Sequence, residues 1–139
     1  MTTSSPGARG PADVQPSLVL IVDDNVKNLK LARDVLRAGG FRTLEAATGA
    51  EGIALAAEHL PDVILMDLRL PDMDGGDAAR SLGDAARTAQ IPVVALTSLR
   101  LEDDGDVLAA SGFAGYLEKP FRVRELADQV RRYCGEGRA

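Results

Sequence analysis

Three short, nearly unbroken apolar runs punctuate the chain: Leu18–Val22, Val63–Met66 and Val93–Leu96. Runs of this length, bounded by polar residues or proline, predict strands buried on both faces. Arg42–Ala46 and Ala114–Leu117 read as two weaker strands. Between them the apolar positions change to helical spacing. Leu29, Ala32, Val35 and Leu36 form one stripe opposite Lys30, Arg33, Asp34 and Arg37, and Gly39-Gly40 stops that helix. Val123, Leu126, Ala127, Val130 and Tyr133 form another. Further helices are expected near 50–59 and 101–110. The segment 75–85 is the weakest helix: Gly75, Gly76 and Gly83 lower its propensity, and Ala78, Ala79 and Leu82 give it a thin apolar face. It is expected to be mobile or poorly packed.

Strand and helix therefore alternate five times. That order predicts an α/β architecture: a doubly wound, five-stranded parallel sheet flanked by five helices. Ligands of such sheets gather at the carboxyl ends of the strands. Residues 1–17, rich in Ser, Pro and Gly, show no periodicity and read as a disordered tail. One folded domain is expected over 18–134, with 135–139 frayed.

Composition narrows the function. The 139 residues carry 16 basic and 21 acidic side chains, for a net charge of −5. That balance disfavours phosphate-neutralising contact with nucleic acid and polybasic membrane attachment. No apolar stretch is long enough to span a bilayer, and the start lacks a secretory pattern, so a cytoplasmic protein is expected. Cys134 is the only cysteine, which removes a disulfide framework or a four-cysteine zinc site. Its place on the last apolar stripe predicts packing. His59 reads as a surface residue at a helix end.

The chemistry stands where the strands end. Asp23-Asp24-Asn25 follows the first strand, Asp67 the third, Thr97-Ser98 the fourth and Lys119-Pro120 the fifth. If the first, third, fourth and fifth strands are neighbours, three carboxylates, a hydroxyl and an ammonium converge. Two unit charges ~4 Å apart repel by roughly 4 kcal/mol at an effective dielectric of about 20. Such carboxylates hold a proton or bind a cation. Hard oxygen ligands without His or Cys favour Mg²⁺ or Mn²⁺. With the cation and Lys119 the pocket would accept a dianionic phosphoryl group, with Lys119 and Thr97 as donors. Each residue alone reads more plainly. Asp23-Asp24 suits a helix cap, Lys119 a solvated charge, and Thr97 a strand. Asp72 and Asp74 read as turn residues between Pro71 and Gly75.

Taken in order, LVLIVDDN, VILMDLRLPDMDG, IPVVALTS and GYLEKPF resemble the receiver domain of bacterial two-component response regulators. The resemblance spans residues 18 to about 134, and the spacing from Asp67 to Thr97 to Lys119 matches the family pattern. It implies a flavodoxin-like receiver fold. Asp67 would be the nucleophile that takes a phosphoryl group from a histidine kinase or histidine phosphotransfer protein. Asp24 would ligate Mg²⁺ directly, Asp23 mainly through water, and Arg69 through its backbone carbonyl. Thr97 and Lys119 would bind phosphoryl oxygens, the bond before Pro120 would be cis, and Tyr116 would be the switch aromatic. Arg69 and Leu99 would tune phosphoryl lifetime. The chain ends soon after its last helix, so a single-domain regulator is expected. It would signal by surface change to a downstream protein effector, as a monomer or a phosphorylation-dependent homodimer. Charges of both signs at Glu102, Asp106, Arg122, Arg124 and Arg131 would suit that dimer.

Two other classes compete. One is an interaction module of the same fold that works without phosphorylation. The other is a small phosphatase with an aspartyl-phosphate intermediate, which in the haloacid dehalogenase pattern needs a second Asp two residues after the nucleophile. Arg69 occupies that position. The receiver reading makes the chain a switch rather than an enzyme.

Overall fold

The computed structural model describes residues 16–97, 112–119 and 122–136. Five strands form one sheet: β1 (Leu18–Val22), β2 (Arg42–Ala46), β3 (Val63–Asp67), β4 (Val93–Thr97) and β5 (Gly115–Glu118). Their order is β2-β1-β3-β4-β5, and every neighbouring pair is parallel. Four helices accompany them among the described residues: α1 (Val26–Ala38), α2 (Gly49–His59), α3 (Gly75–Asp84) and α4 (Val123–Glu136). The helix expected near 101–110 lies outside the described residues. So do Ser98, Leu99, Glu102, Asp106 and Pro120, and with Pro120 the expected cis bond.

The apolar runs became strands because burial on both faces is what their unbroken hydrophobicity suits. All five residues of β3 and of β4 are buried. The ends run slightly past expectation, with Asp67 and Thr97 inside their strands and β5 shifted one residue on. Residues 1–15 lie outside the described residues. Pro16 and Ser17, assigned to the tail by sequence, are held by Arg42. The Arg42 backbone N–H donates to the Ser17 carbonyl at 2.9 Å, and its Nε donates to the Pro16 carbonyl at 3.0 Å.

Each face of the sheet has its own core. Under α1 and α4 lie Val19, Ile21, Leu29, Leu36, Leu65, Leu126 and Val130, with buried Cys134. Under α2 and α3 lie Leu20, Val22, Ile64, Met66, Ala56, Ala78 and Leu82. The α4 stripe is narrower than the sequence implied: Val123 stands 56% exposed, while Leu126 and Val130 are buried. Arg131, which the sequence places on a mixed-charge face, also reaches α1 while its side chain stays half exposed. Its Nη2 donates to the Gly39 carbonyl at 3.1 Å, and its guanidinium lies over the Phe41 ring. No helix among the described residues is long and apolar enough to cross a membrane.

The segment expected to pack poorly is well packed. Gly75, Gly76, Ala78, Ala79 and Leu82 of α3 are all buried. A Cβ on Gly75 would collide with the Asp67 carbonyl oxygen and the Leu68 Cα, so the glycine lets the helix start directly against the end of β3. Its low helix propensity is the cost of that approach.

Candidate functional site

The order β1-β3-β4-β5 brings the ends of four strands side by side, and with them the residues singled out by sequence. Asp23 leaves β1 fully buried, its N–H donating to the Ala46 carbonyl at 3.0 Å. Asp24 beside it is exposed. Asp67 closes β3 and Thr97 closes β4, both buried. Lys119 follows β5, where its N–H donates to the Thr97 carbonyl at 2.8 Å. Its ammonium is drawn inward: Nζ sits 3.0 Å from Asp23 Oδ2 and 3.0 Å from Asp67 Oδ2. Lys119 is therefore not the solvated surface charge it resembles in isolation.

Asp23 does not cap α1. Asn25 does, accepting from the Lys27 N–H at 2.9 Å and the Asn28 N–H at 3.3 Å. This leaves Asp23 to the site. Its Oδ1 accepts the Asn25 N–H at 2.9 Å, and its Oδ2 accepts from Asn28 Nδ2 at 3.3 Å. These bonds hold a buried carboxylate in one orientation. On the other side, Asp67 Oδ1 accepts the Arg69 N–H at 3.1 Å.

One oxygen each from Asp23, Asp24 and Asp67 falls within 4.8 Å of the other two. Lys119 alone leaves two of the three negative charges uncompensated. Hard oxygens at this spacing, with no His or Cys among them, fit an oxygen-seeking divalent cation. Burial raises the Asp67 pKa above the ordinary carboxylate value, with Asp23 adding to it, against the Arg69 N–H and Lys119, which lower it. For Lys119 burial works against the charge. The hydrogen bonds and charges of Asp23 and Asp67 outweigh it, so its pKa is raised and the ammonium persists.

Other expected residues are placed less centrally. The Arg69 side chain is exposed, and its backbone pairs with Asp74 in an isolated antiparallel bridge. Tyr116 lies on β5 with 38% of its surface exposed. Asp72 is not a simple turn residue. Its two oxygens accept the N–H groups of Gly49 and Ala50, at 2.8 and 2.9 Å, and so cap α2 from a distant loop. Sequence reasoning missed this because the partners are backbone groups remote along the chain. Asp74 holds the N-cap position of α3 without a side-chain bond there.

Known proteins resemble this chain in sequence and in fold. The family model for the response regulator receiver domain matches residues 19–131. The polar-differentiation response regulator DivK of Brucella anthropi is 36% identical over 121 residues, 87% of this chain and 98% of that protein. The receiver domain of sensor histidine kinase PA1611 from Pseudomonas aeruginosa, solved with a magnesium ion in its active site cleft, superposes with a TM-score of 0.80. It is 33% identical, over 86% of this chain and 98% of that one. The chemotaxis response regulator CheY4 of Vibrio cholerae also gives a TM-score of 0.80, at 27% identity over 85% and 98% of the two chains.

Proposed function

The chain belongs to the response regulator receiver domain family, and from that premise we propose that it accepts a phosphoryl group on Asp67 in a Mg²⁺-dependent reaction and passes the signal to a protein partner. The observation that carries this is the Lys119 ammonium held between Asp23 and Asp67, with Asp24 completing the acidic cluster. Asp24, Asp67 and the Arg69 carbonyl would hold the cation, with Asp23 contributing through water. When bound, Mg²⁺ supplies the charge neutralisation that lets an anionic donor approach three carboxylates.

An Asp67 carboxylate oxygen attacks the phosphorus of a phosphohistidine on a histidine kinase or phosphotransfer protein. A P–O bond forms as the P–N bond breaks, and the imidazole leaves with the electron pair and takes a proton from solvent. Little covalent assistance is needed, because phosphoryl transfer depends mainly on positioning and charge. Lys119 pairs with one phosphoryl oxygen and the Thr97 hydroxyl donates to another. The acyl phosphate leaves about two negative charges and three acceptor oxygens at the head of the β3–α3 loop. Movement of Thr97 toward them would let Tyr116 turn from its exposed position and change the surface beside β5. The DivK relative is spanned almost to its full length, which supports a signal delivered by the receiver surface to an effector protein. A phosphatase of the haloacid dehalogenase type gains nothing from the geometry, since Arg69 stands where its general acid is required.

Incubation with acetyl phosphate and Mg²⁺ followed by mass spectrometry tests the proposal. One hydroxylamine-labile phosphoryl adduct per chain is expected, lost on omission of Mg²⁺ and in Asp67→Asn. A wild-type chain that takes up no phosphoryl group, or an Asp67→Asn chain that still does, would overturn it.

A further inference from the structure

The loop between β3 and α3 is held at both ends. At its base the Gly75 N–H donates to the Leu68 carbonyl at 2.8 Å, and Arg69 bridges to Asp74. At its tip the Asp72 carboxylate takes the Gly49 and Ala50 N–H groups, one on each oxygen. Thr48 Oγ1 accepts the next N–H, that of Glu51, at 3.1 Å. The first turn of α2 is thus satisfied by its own cap and by a carboxylate from another part of the chain. Met73 reinforces the junction: a Cβ on Gly49 would meet its side chain at 2.5 Å, so glycine lets the loop lie flat on the helix start.

The attachment joins two halves of the acidic crevice. α2 follows β2, whose Ala46 carbonyl receives the Asp23 N–H, and Gly52 of α2 packs on Val22 of β1, one residue before Asp23. Asp72 lies on the other half, in the segment that carries the Arg69 N–H to Asp67 Oδ1 at 3.1 Å. A charged carboxylate on two backbone N–H groups at a helix start is a directional link, made here by a solvent-exposed Asp72.

We infer that Asp72 is a positioning residue of the site. By tying the acceptor loop to the start of α2 it fixes the Asp67–Arg69 side of the crevice against the Asp23–Asp24 side, and so sets the strength with which a divalent cation is held. The inference rests on the function proposed above, because it assigns Asp72 a part in that same site.

The test compares the wild-type chain with Asp72→Ala and Asp72→Asn in two measurements. Mg²⁺ titration by calorimetry reads cation affinity. Amide hydrogen exchange in the metal-free protein reads the Arg69 N–H. Loss of the link should weaken Mg²⁺ binding by about tenfold, as for removal of a residue that orients a ligand. It should speed exchange at Gly49, Ala50 and Arg69 while amides of β1 and β3 keep their protection. Asp72→Asn retains one acceptor oxygen and should recover part of both effects. It also serves if Asp72→Ala fails to fold. Wild-type Mg²⁺ affinity with unchanged Arg69 exchange in either variant, whatever its melting temperature, overturns the inference. A wild-type chain without Mg²⁺ affinity would instead overturn the functional reading, and with it the cation half of this inference. Unchanged Arg69 exchange would then remove the rest.

Discussion

The two faces of the sheet solve different problems. The face under α1 and α4 is filled by long aliphatic chains, among them Leu29, Leu36, Leu65, Leu96 and Leu126. The face under α2 and α3 relies more on small residues. Ala46, Ala56, Ala78 and Ala79 are buried there, and Gly49, Gly52 and Gly75 sit where a Cβ would strike a neighbour, as Gly39 and Gly115 also do against α4. Large side chains bury area, and buried apolar area is the main favourable term in folding. Small ones let backbones approach, and the acceptor loop is held on this second face largely through backbone groups. Stability and site geometry are therefore partly separable, one face weighted toward each.

The largest expected effect breaks the first face alone. Leu36 is fully buried near the end of α1, away from the carboxyl ends of the strands. Leu36→Ala should cost about 3 kcal/mol in urea unfolding. Cation affinity of the folded protein should stay within about twofold of wild type, since sites without shared partners behave independently. A site weakened in proportion to the lost stability would show that the faces are not separable.

Gly75→Ala should do the reverse. The new methyl meets backbone atoms of Asp67 and Leu68 rather than a flexible side chain, so the start of α3 or the end of β3 must move. Overpacking of this kind costs about 2 kcal/mol, less than the Leu36 change. The displaced carboxylate should nevertheless slow phosphorylation from acetyl phosphate on the order of a hundredfold, because small misplacements of reacting groups are that costly. Normal phosphorylation kinetics in Gly75→Ala would mean that the close approach serves packing only.

The same contrast explains what the chain discloses before folding. Asp67 is legible because four apolar residues precede it and place it at a strand end. Asp23 and Lys119 are legible once Asp67 is, since parallel strands gather their carboxyl ends. The helix cap is ambiguous in Asp23-Asp24-Asn25, where three good capping residues adjoin, and only the backbone course settles on Asn25. The small-residue face misleads more deeply. Glycine in a helical segment signals weakness by propensity, yet at Gly75 it marks contact with another backbone. Asp72 carries no signal of its own, because hydrogen bonds to remote N–H groups leave no periodicity. Val123 fits the α4 stripe by spacing but lies at the first position of the helix, where the core has already ended.

The smallest effect is a difference in pH dependence between Asp67, at the end of β3, and Asp72, in the loop that follows. Burial raises the Asp67 pKa, whereas the Ala50 and Gly49 N–H groups lower that of Asp72. A raised carboxyl pKa means that the folded state holds the proton more tightly than the unfolded chain. The contribution of Asp67 to stability is then fully present below the ordinary value of 3.8 and is lost as pH rises through its folded pKa. A lowered pKa works oppositely. Asp72 contributes above 3.8, and that contribution is lost as pH falls through its folded value. In metal-free protein, Asp67→Asn should therefore be more stable than wild type at pH 7, with the gain shrinking toward pH 4. Asp72→Asn should be less stable at pH 7, with the deficit closing only below pH 4. Urea unfolding of the three proteins across this range checks both slopes. Parallel curves would mean that Asp67 and Asp72 share one environment, and the division between a buried reactive end and a hydrogen-bonded anchor would fail.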